Sequence, residues 1–303
     1  MITHGVLIWR RMVLFFFLFC LSILEAKEIV VGYYNLENYL LMPRTADGDH
    51  IENAPKPESE LSALLSMLKR IRPDILGVVE IGDQSMLADF QKRLSSAGMF
   101  FPYTEWVATS EGERHIALLS RFPIVARDSK SDVPIELDGR YHKMGRGILD
   151  ITLEITPSYQ LRLIGVHLKS RRAVPEFDEK KFRAREALAV RGHIHSILKG
   201  NSGVNLLLFG DLNDTKNEQP VKDILGVSGT PTALRDLPLR DSHGLVWTHF
   251  WSHAGIYSRI DYLLASQGLW PELKLSRSGI GAGREWHNAS DHRPIYATIT
   301  IPE

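Results

Sequence analysis

From residue 27 onward, short apolar, β-branched runs alternate with stretches whose apolar residues recur every three or four positions. Residues 28–34 read as a buried strand. Between Pro57 and Ile71, apolar residues fall at 61, 64, 65, 68 and 71, the spacing of one helix face, and Pro73 stops the pattern. A second strand is expected at 74–79 and a second helix at 85–94. Residues 116–120, 124–127, 147–155 and 161–166 all read as strands, with neighbours close enough in sequence to form antiparallel hairpins. A long amphipathic helix follows at 178–199, ended by Gly200. After it come a strand at 205–209, a short helix at 218–225, and strands near 259–264 and 294–301. The polar, proline-containing stretch 41–58 reads as a surface loop. No repeat and no Pro/Gly/Ser-rich linker divides the pattern. It therefore predicts one α/β domain over residues 27–303, with two mixed sheets packed face to face.

The first 26 residues follow a different logic. Arg10 and Arg11 precede an apolar run at 12–24, and Ala26 lies just beyond it. A positive start, a short apolar run and a small residue fit a secretory signal. A membrane span needs about 20 apolar residues, more than this run supplies. Leu24 suits the minus-three position of a cleavage site after Ala26 poorly, so an uncleaved anchor through residues 10–25 is the alternative. The expected location is periplasmic or secreted, with a membrane tether if the signal stays. The single cysteine, Cys20, falls inside this run. A processed chain would then contain no thiol, which excludes both a disulfide framework and a thiolate metal site.

Composition narrows the class without choosing a substrate. With 44% hydrophobic and 24% charged residues, the chain reads as a soluble globular protein. Lys+Arg and Asp+Glu balance at 36 each, so local patches, not net charge, must decide any polyanion binding. No obligate protein partner is read from the sequence.

Chemistry gathers at predicted strand ends. The clusters are residues 34–38 (YNLEN), Val79-Glu80, residues 166–170 (VHLKS), residues 210–214 (GDLND) and residues 290–294 (SDHRP). A sixth, residues 259–262 (RIDY), opens a strand. Singly, each has a plainer explanation: Gly-Asp-Leu-Asn, for instance, is good turn and cap chemistry. Together they supply hard oxygen ligands for Mg²⁺ or Mn²⁺, amide donors for phosphate oxygens, and His and Asp to move protons. The donor types fit Zn²⁺ less well, since there is no cysteine and no two-histidine helical motif.

In this order, YNLEN, VVEIGD, VHLKS, GDLND, RIDYLL and SDHRP resemble the endonuclease/exonuclease/phosphatase superfamily, over about residues 29–299. The resemblance implies a four-layered α/β sandwich, two central mixed sheets flanked by helices, with the site at one edge. It implies that Asn35, Glu80 and Asp291 build the metal shell, Glu80 as the main carboxylate ligand. His167 would hydrogen-bond the scissile phosphate, Asp211 and Asn213 would position water and phosphate, and Asp261 would orient His292. Whether His292 or Asp211 takes the proton from water stays open. Residues 113–121 resemble a strand of DNase I-like members in which a carboxylate supports the first histidine, so Glu113 is expected to pair with His167. Arg146 stands where the family carries a phosphate-binding arginine.

Between Lys169 and Arg185, seven basic residues face three acids, and Lys169, Arg171 and Arg172 directly follow the His167 strand. They are the expected phosphate-binding cations. An aromatic-rich loop, with Trp247, His249, Phe250, Trp251 and Tyr257, is expected just before Asp261. Its rings suit base stacking, a lipid interface or plain packing. The expected activity is metal-dependent hydrolysis of DNA or RNA phosphodiesters. The alternatives are a phosphatase or sphingomyelinase-type phosphodiesterase on the same site, and a non-catalytic, membrane-tethered binding module.

Overall fold

The computed structural model describes residues 27–302 other than 47, 110 and 111. The expected export segment, residues 1–26, lies outside the described residues. The chain begins with β1 (Glu28–Tyr39), β2 (Met42–Ala46), β3 (Asp49–Ala54), α1 (Glu58–Ile71), β4 (Ile75–Ile81) and α2 (Gln84–Ser96). It continues through β5 (Tyr103–Val107), β6 (His115–Ser120), β7 (Ile124–Arg127), β8 (Pro134–Leu137), β9 (Arg140–Lys143), β10 (Leu149–Thr156) and β11 (Tyr159–His167). Next come α3 (Glu179–Gly200), β12 (Leu206–Asp211), α4 (Gln219–Leu225), β13 (Arg235–Asp236), β14 (His249–Trp251) and β15 (Ile256–Ser258). The last elements are β16 (Asp261–Ala265), β17 (Gly279–Ile280), α5 (Trp286–Ala289) and β18 (Ile295–Thr300). Among the described residues, no helix is long and apolar enough to cross a membrane.

Two six-stranded mixed sheets form the centre, ordered β17-β18-β1-β4-β6-β5 and β13-β16-β12-β11-β10-β7. Their facing sides enclose one core, which includes Val31, Tyr33, Val79, Leu118, Leu153, Leu163, Phe209 and Leu263. Leu64, Leu68, Phe90 and Leu94 of α1 and α2 cover the outer face of the first sheet. Phe182, Val190, Ile194 and Ile224 of α3 and α4 cover that of the second. The result is the four-layered sandwich expected from the resemblance.

Local rules explain the helix starts. Asp83 accepts from the backbone N–H groups of Ser85 and Met86 at 2.9 and 3.1 Å, and Asp178 accepts from those of Lys180 and Lys181 at 3.0 Å. In α1, Arg72 takes the left-handed conformation after the last turn, and Pro73 prevents continuation.

Three expectations change. Residues 41–58 are not a bare loop: most of the stretch is the two-stranded hairpin β2–β3. Its residues are largely exposed, so no buried face stamped a period on the sequence. Strands β6 and β7 are neighbours in sequence but enter different sheets, whereas β10 and β11 do form an antiparallel hairpin. The aromatic stretch before Asp261 folds as the hairpin β14–β15.

Topology sets the position of the site. Each sheet contains one central parallel pair, β1 with β4 and β11 with β12. Each pair is joined by a crossover that carries a helix, α1 or α3. Parallel pairing brings two C-terminal strand ends side by side, with Asn35 opposite Val79 and His167 opposite Asp211. Antiparallel β16 enters at the same edge, Asp261 opposite Asp211, and antiparallel β18 begins there just after His292.

The two sheets are held at close range by glycine. The ring of Phe209 lies between Gly77 of the first sheet and Gly165 of its own sheet. A Cβ on Gly77 would meet that ring at 2.4 Å, and one on Gly165 would meet it at 2.6 Å. Gly77→Ala is expected to cost about 1–3 kcal/mol through overpacking. Urea unfolding measures this, and an unchanged midpoint would show that the ring has room to move.

Candidate active site

Glu80 comes to the site through a backbone irregularity. The register of β4 slips between Val79 and Ile81 against both neighbours, and Glu80 sits at φ 59°. A non-glycine residue held in this left-handed region is strained by its Cβ, and surroundings that over-determine it keep it there. Here the backbone N–H of Asn38 donates to Glu80 Oε2 at 3.1 Å, and Arg114 Nε lies 3.5 Å from the same oxygen. Glu37, Asn38 and Asn213 share the positive φ. All four residues stand where a strand end is bent towards the site.

Asn35 is buried at the centre. Its Nδ2 lies 3.4 Å from Glu80 Oε1, 3.2 Å from Asp211 Oδ2 and 3.3 Å from His292 Nε2. Its Oδ1 accepts from the Glu37 N–H at 3.0 Å, which fixes the amide. His167 Nε2 lies 3.9 Å from Glu80 and 3.8 Å from Asp211. His292 Nδ1 and Asp261 Oδ2 are 2.8 Å apart, and His292 Nε2 faces Asp211 Oδ2 at 3.7 Å. With Nδ1–H donated to the carboxylate, Nε2 is the working nitrogen.

The electrostatics are those of buried carboxylates crowded together. Burial and the neighbouring Asp261 carboxylate push Asp211 up to about 8, although His292 opposes them. Burial works against the His292 imidazolium, but Asp261, Asp291 and Asp211 outweigh it and hold the ring well above its ordinary value. His167 goes the other way: burial, then the cations Arg146, His292, Arg114 and Lys169, hold it well below. Glu37, whose Oε2 accepts from the Asp291 N–H at 2.9 Å, is pushed up to about 7 by burial and by Asp291.

An oxygen-rich set with excess buried negative charge fits a divalent cation. Asp261 Oδ1 is buried without a hydrogen-bond partner among the described residues. Glu80 and Asp211, with the Asn35 side chain between them, would hold such an ion, whose chemistry is charge neutralisation at a phosphate and acidification of water. Asp291, the third expected ligand, lies 3.7 and 3.9 Å from the imidazoles of His249 and His292.

The remaining expected residues divide. Arg146 is 8% exposed, and its Nε and Nη1 are buried without a hydrogen-bond partner among the described residues. Lys169 is buried beside the His167 strand end. Asn213 sits at the site, but its amide donates to the Leu168 carbonyl at 3.0 Å. Arg171 donates to Asp214 at 2.6 Å and to the Asn213 carbonyl at 3.0 Å, and it shares that carboxylate with Arg183. Arg172 is exposed on the rim of an adjoining cleft. Arg183, also in the basic stretch, is an internal partner of Asp214 at 2.7 Å.

The expected Glu113–His167 pair is not formed. Glu113 is exposed in a turn before β6, and His167 Nδ1 has no hydrogen-bond partner among the described residues. A carboxylate on a short turn is better hydrated by solvent than buried beside other carboxylates. Its neighbour Arg114 turns inward instead, bonding Asn38 Oδ1 at 2.7 Å.

Three further residues at the site escape a reading of the sequence: Glu37, Arg114 and His249. Glu37 lies within YNLEN and Arg114 follows Glu113, so proximity to a motif is their only signal. His249 reads as one of a run of packing aromatics. In the structure its ring centroid is 4.7 Å from that of His292, and its Nε2 is 3.7 Å from Asp291.

A cleft of about 730 Å³ opens beside Asn213. Trp251, Ile256 and Ile260 line its apolar side, while Arg171, Arg172 and His253 line the charged side.

Comparison with known proteins agrees with the fold. The profile of the Endonuclease/Exonuclease/phosphatase family matches residues 33–292. Among solved structures, the human Nocturnin catalytic domain with bound sulfate is similar at 18% identity, covering 91% of this chain and 95% of that one, with TM-score 0.63. Truncated Caenorhabditis elegans TDP2 is similar at 18% identity over 90% and 98% of the two chains, with TM-score 0.59. Sphingomyelinase C from Streptomyces griseocarneus is similar at 14% identity over 90% and 99%, with TM-score 0.55. No curated protein matches.

Proposed function

The chain belongs to the endonuclease/exonuclease/phosphatase family, and from that premise we propose that it is a Mg²⁺- or Mn²⁺-dependent phosphodiesterase acting on nucleic acid. One observation carries the reading. The buried Arg146 guanidinium, two of whose nitrogens lack an acceptor among the described residues, and the neutral His167 it depresses face a set of buried carboxylates and the Asp261–His292 pair. A buried guanidinium short of acceptors costs several kcal/mol, roughly, and an anionic substrate group relieves that cost.

The roles follow from position. Arg146, Lys169 and His167 bind the phosphate oxygens. The Asp211–His292 pair, whose raised pKa values a bound cation would bring down, is placed to receive the proton leaving the attacking water, and its two groups titrate as a unit. Asp261 holds the His292 tautomer, and the amide of Asn35 links Glu80, Asp211 and His292. Nucleic acid is favoured by the adjoining cleft, where Trp251 and the isoleucines suit a base and Arg172 suits a flanking phosphate.

A lipid phosphodiester is the second reading. The β14–β15 hairpin exposes Trp251, Ile256 and Tyr257, each more than half accessible, which suits a lipid surface. One panel decides. DNA, RNA, sphingomyelin and a chromogenic phosphodiester are offered with Mg²⁺ or Mn²⁺, with EDTA and His167→Ala as controls. Cleavage of DNA or RNA, abolished by both controls, is expected. Sphingomyelin turnover with both nucleic acids intact would replace the first reading with the second.

A further inference from the structure

We infer that His249, Asp291 and His292 form a second cation site, selective for transition ions of the Zn²⁺ class, whose occupation blocks His292. The ligand type sets it apart from the Glu80 side. There the donors are carboxylate oxygens gathered around the Asn35 amide, which suit Mg²⁺ or Mn²⁺. Here two imidazoles and one carboxylate converge, a borderline donor set that favours Zn²⁺, Co²⁺ or Ni²⁺.

The geometry is close to that of a tetrahedral ion. Donor atoms at about 2.0–2.1 Å from such an ion stand about 3.3 Å apart. His249 Nε2 lies 3.7 Å from Asp291 Oδ2 and His292 Nε2 lies 3.9 Å from Asp291 Oδ1, and one donor atom from each of the three residues falls within 4.8 Å of the other two.

Both rings are already oriented from behind. His292 Nδ1 is held by Asp261 at 2.8 Å, and His249 Nδ1 lies 3.2 Å from Ser258 Oγ. Each therefore presents Nε2 towards Asp291, the carboxylate- or hydroxyl-buttressed arrangement that ligating histidines adopt. The backbone is fixed too. His249 forms an antiparallel bridge with His292, and the Phe250 N–H donates to the Asp291 carbonyl at 2.9 Å. His249 also lines the open cleft, which gives an ion a route in from solvent.

An ion bound here takes the Nε2 electron pair of His292, and any proton on that nitrogen is released to solvent. Nε2 is the atom that faces Asp211, so the proton-accepting pair is disabled while phosphate binding by Arg146 is left intact. The inhibitory consequence rests on the phosphodiesterase reading; the binding site itself does not.

The test separates the two. Calorimetry with Zn²⁺, and visible d–d absorption with Co²⁺, are recorded on the chain in excess Mg²⁺. The wild type is expected to bind one Zn²⁺ saturably and to show a nitrogen-ligated Co²⁺ spectrum. His249→Phe keeps the ring but removes the donor. It should weaken Zn²⁺ by more than about 100-fold, since losing even an outer partner of a ligating histidine costs about 10–100-fold. His249→Gln serves as a second variant if the first folds poorly, and Glu80→Gln should leave Zn²⁺ binding in place. On whichever phosphodiester the panel identifies, Zn²⁺ should inhibit the wild type, and the same Zn²⁺ concentration should lower the His249→Phe rate, taken relative to that variant's own Mg²⁺-supported rate, by a much smaller factor. Unchanged Zn²⁺ affinity in both His249 variants, or its loss in Glu80→Gln instead, would overturn the assignment. Inhibition without saturable binding would overturn it as well.

Discussion

Replacing His292 with alanine is expected to lower the turnover of the cleaved phosphodiester by about 10²–10⁴-fold, the contribution of a positioned acid–base group. The effect should fall on kcat with little change in KM, because the proposed phosphate ligands are the buried Arg146 and Lys169, not His292. Asp261→Asn should lose most of the same factor while the fold survives. Asp261 is fully buried and meets His292 Nδ1 at 2.8 Å; its backbone N–H donates to Thr248 Oγ1 at 3.1 Å. An asparagine keeps the shape but can turn a donor towards Nδ1, which releases the ring into the wrong tautomer. Steady-state kinetics on both variants check this. A His292→Ala enzyme within a few-fold of wild type would remove the Asp211–His292 pair from the reaction.

The second large effect is on stability in the absence of metal. Asp211 is pushed up to about 8 by burial and Asp261, and His292 is held above its ordinary value by three carboxylates that overcome its burial. Both shifts are upward. A group whose pKa is raised by folding stabilises fully below its unfolded pKa, and that contribution is lost as pH rises through the folded one. For Asp211 the window runs from about 4, the unfolded value, to the folded value near 8. His167, held low, contributes in the opposite sense, but its part is complete above about pH 6.5. Between about pH 6.5 and about 8.5 the EDTA-treated protein should therefore lose stability, with a slope of up to about 1.4 kcal/mol per pH unit for each full proton difference. Asp211→Asn should flatten part of that slope, and saturating Mg²⁺ or Mn²⁺ should restore stability at the alkaline end of the series. Urea midpoints across the pH series measure all three. A wild-type profile that is flat or rises over this window would show that the carboxylates are not charge-crowded.

The same crowding explains why the site is legible in the sequence and its wiring is not. Asn35, Glu80, His167, Asp211, Asp261 and His292 each stand at a strand end within a short polar motif, so their neighbours in sequence mark them. Pairing cannot be read in this way, because the contacts join residues such as Asn35 and His292, which are 257 positions apart. Glu113 fails for that reason. Motif order puts a carboxylate near His167, but the turn directs Glu113 to solvent and Arg114 towards Glu80. Arg171 shows the same limit: its place beside the His167 strand suggests phosphate, and nothing near it in sequence announces its bond to Asp214, 43 positions on.

Periodic burial fixed what the chain alone determined. Helices α1 and α3 and the inner strands bury one face or both, so their hydrophobic spacing carried their identity and approximate ends. The exposed hairpins β2–β3 and β14–β15 have no such face to bury and left no comparable trace. The motifs determined which chemistry was available. Only the tertiary structure decided how it is arranged: two parallel strand pairs, one per sheet, end at a common edge, and packing of the sheets around Phe209 brings those ends together. The depressed His167, the raised Asp211 and the Arg146 nitrogens left without an acceptor among the described residues arise from that meeting. Desolvation and charge proximity belong to the packed site and not to any residue by itself.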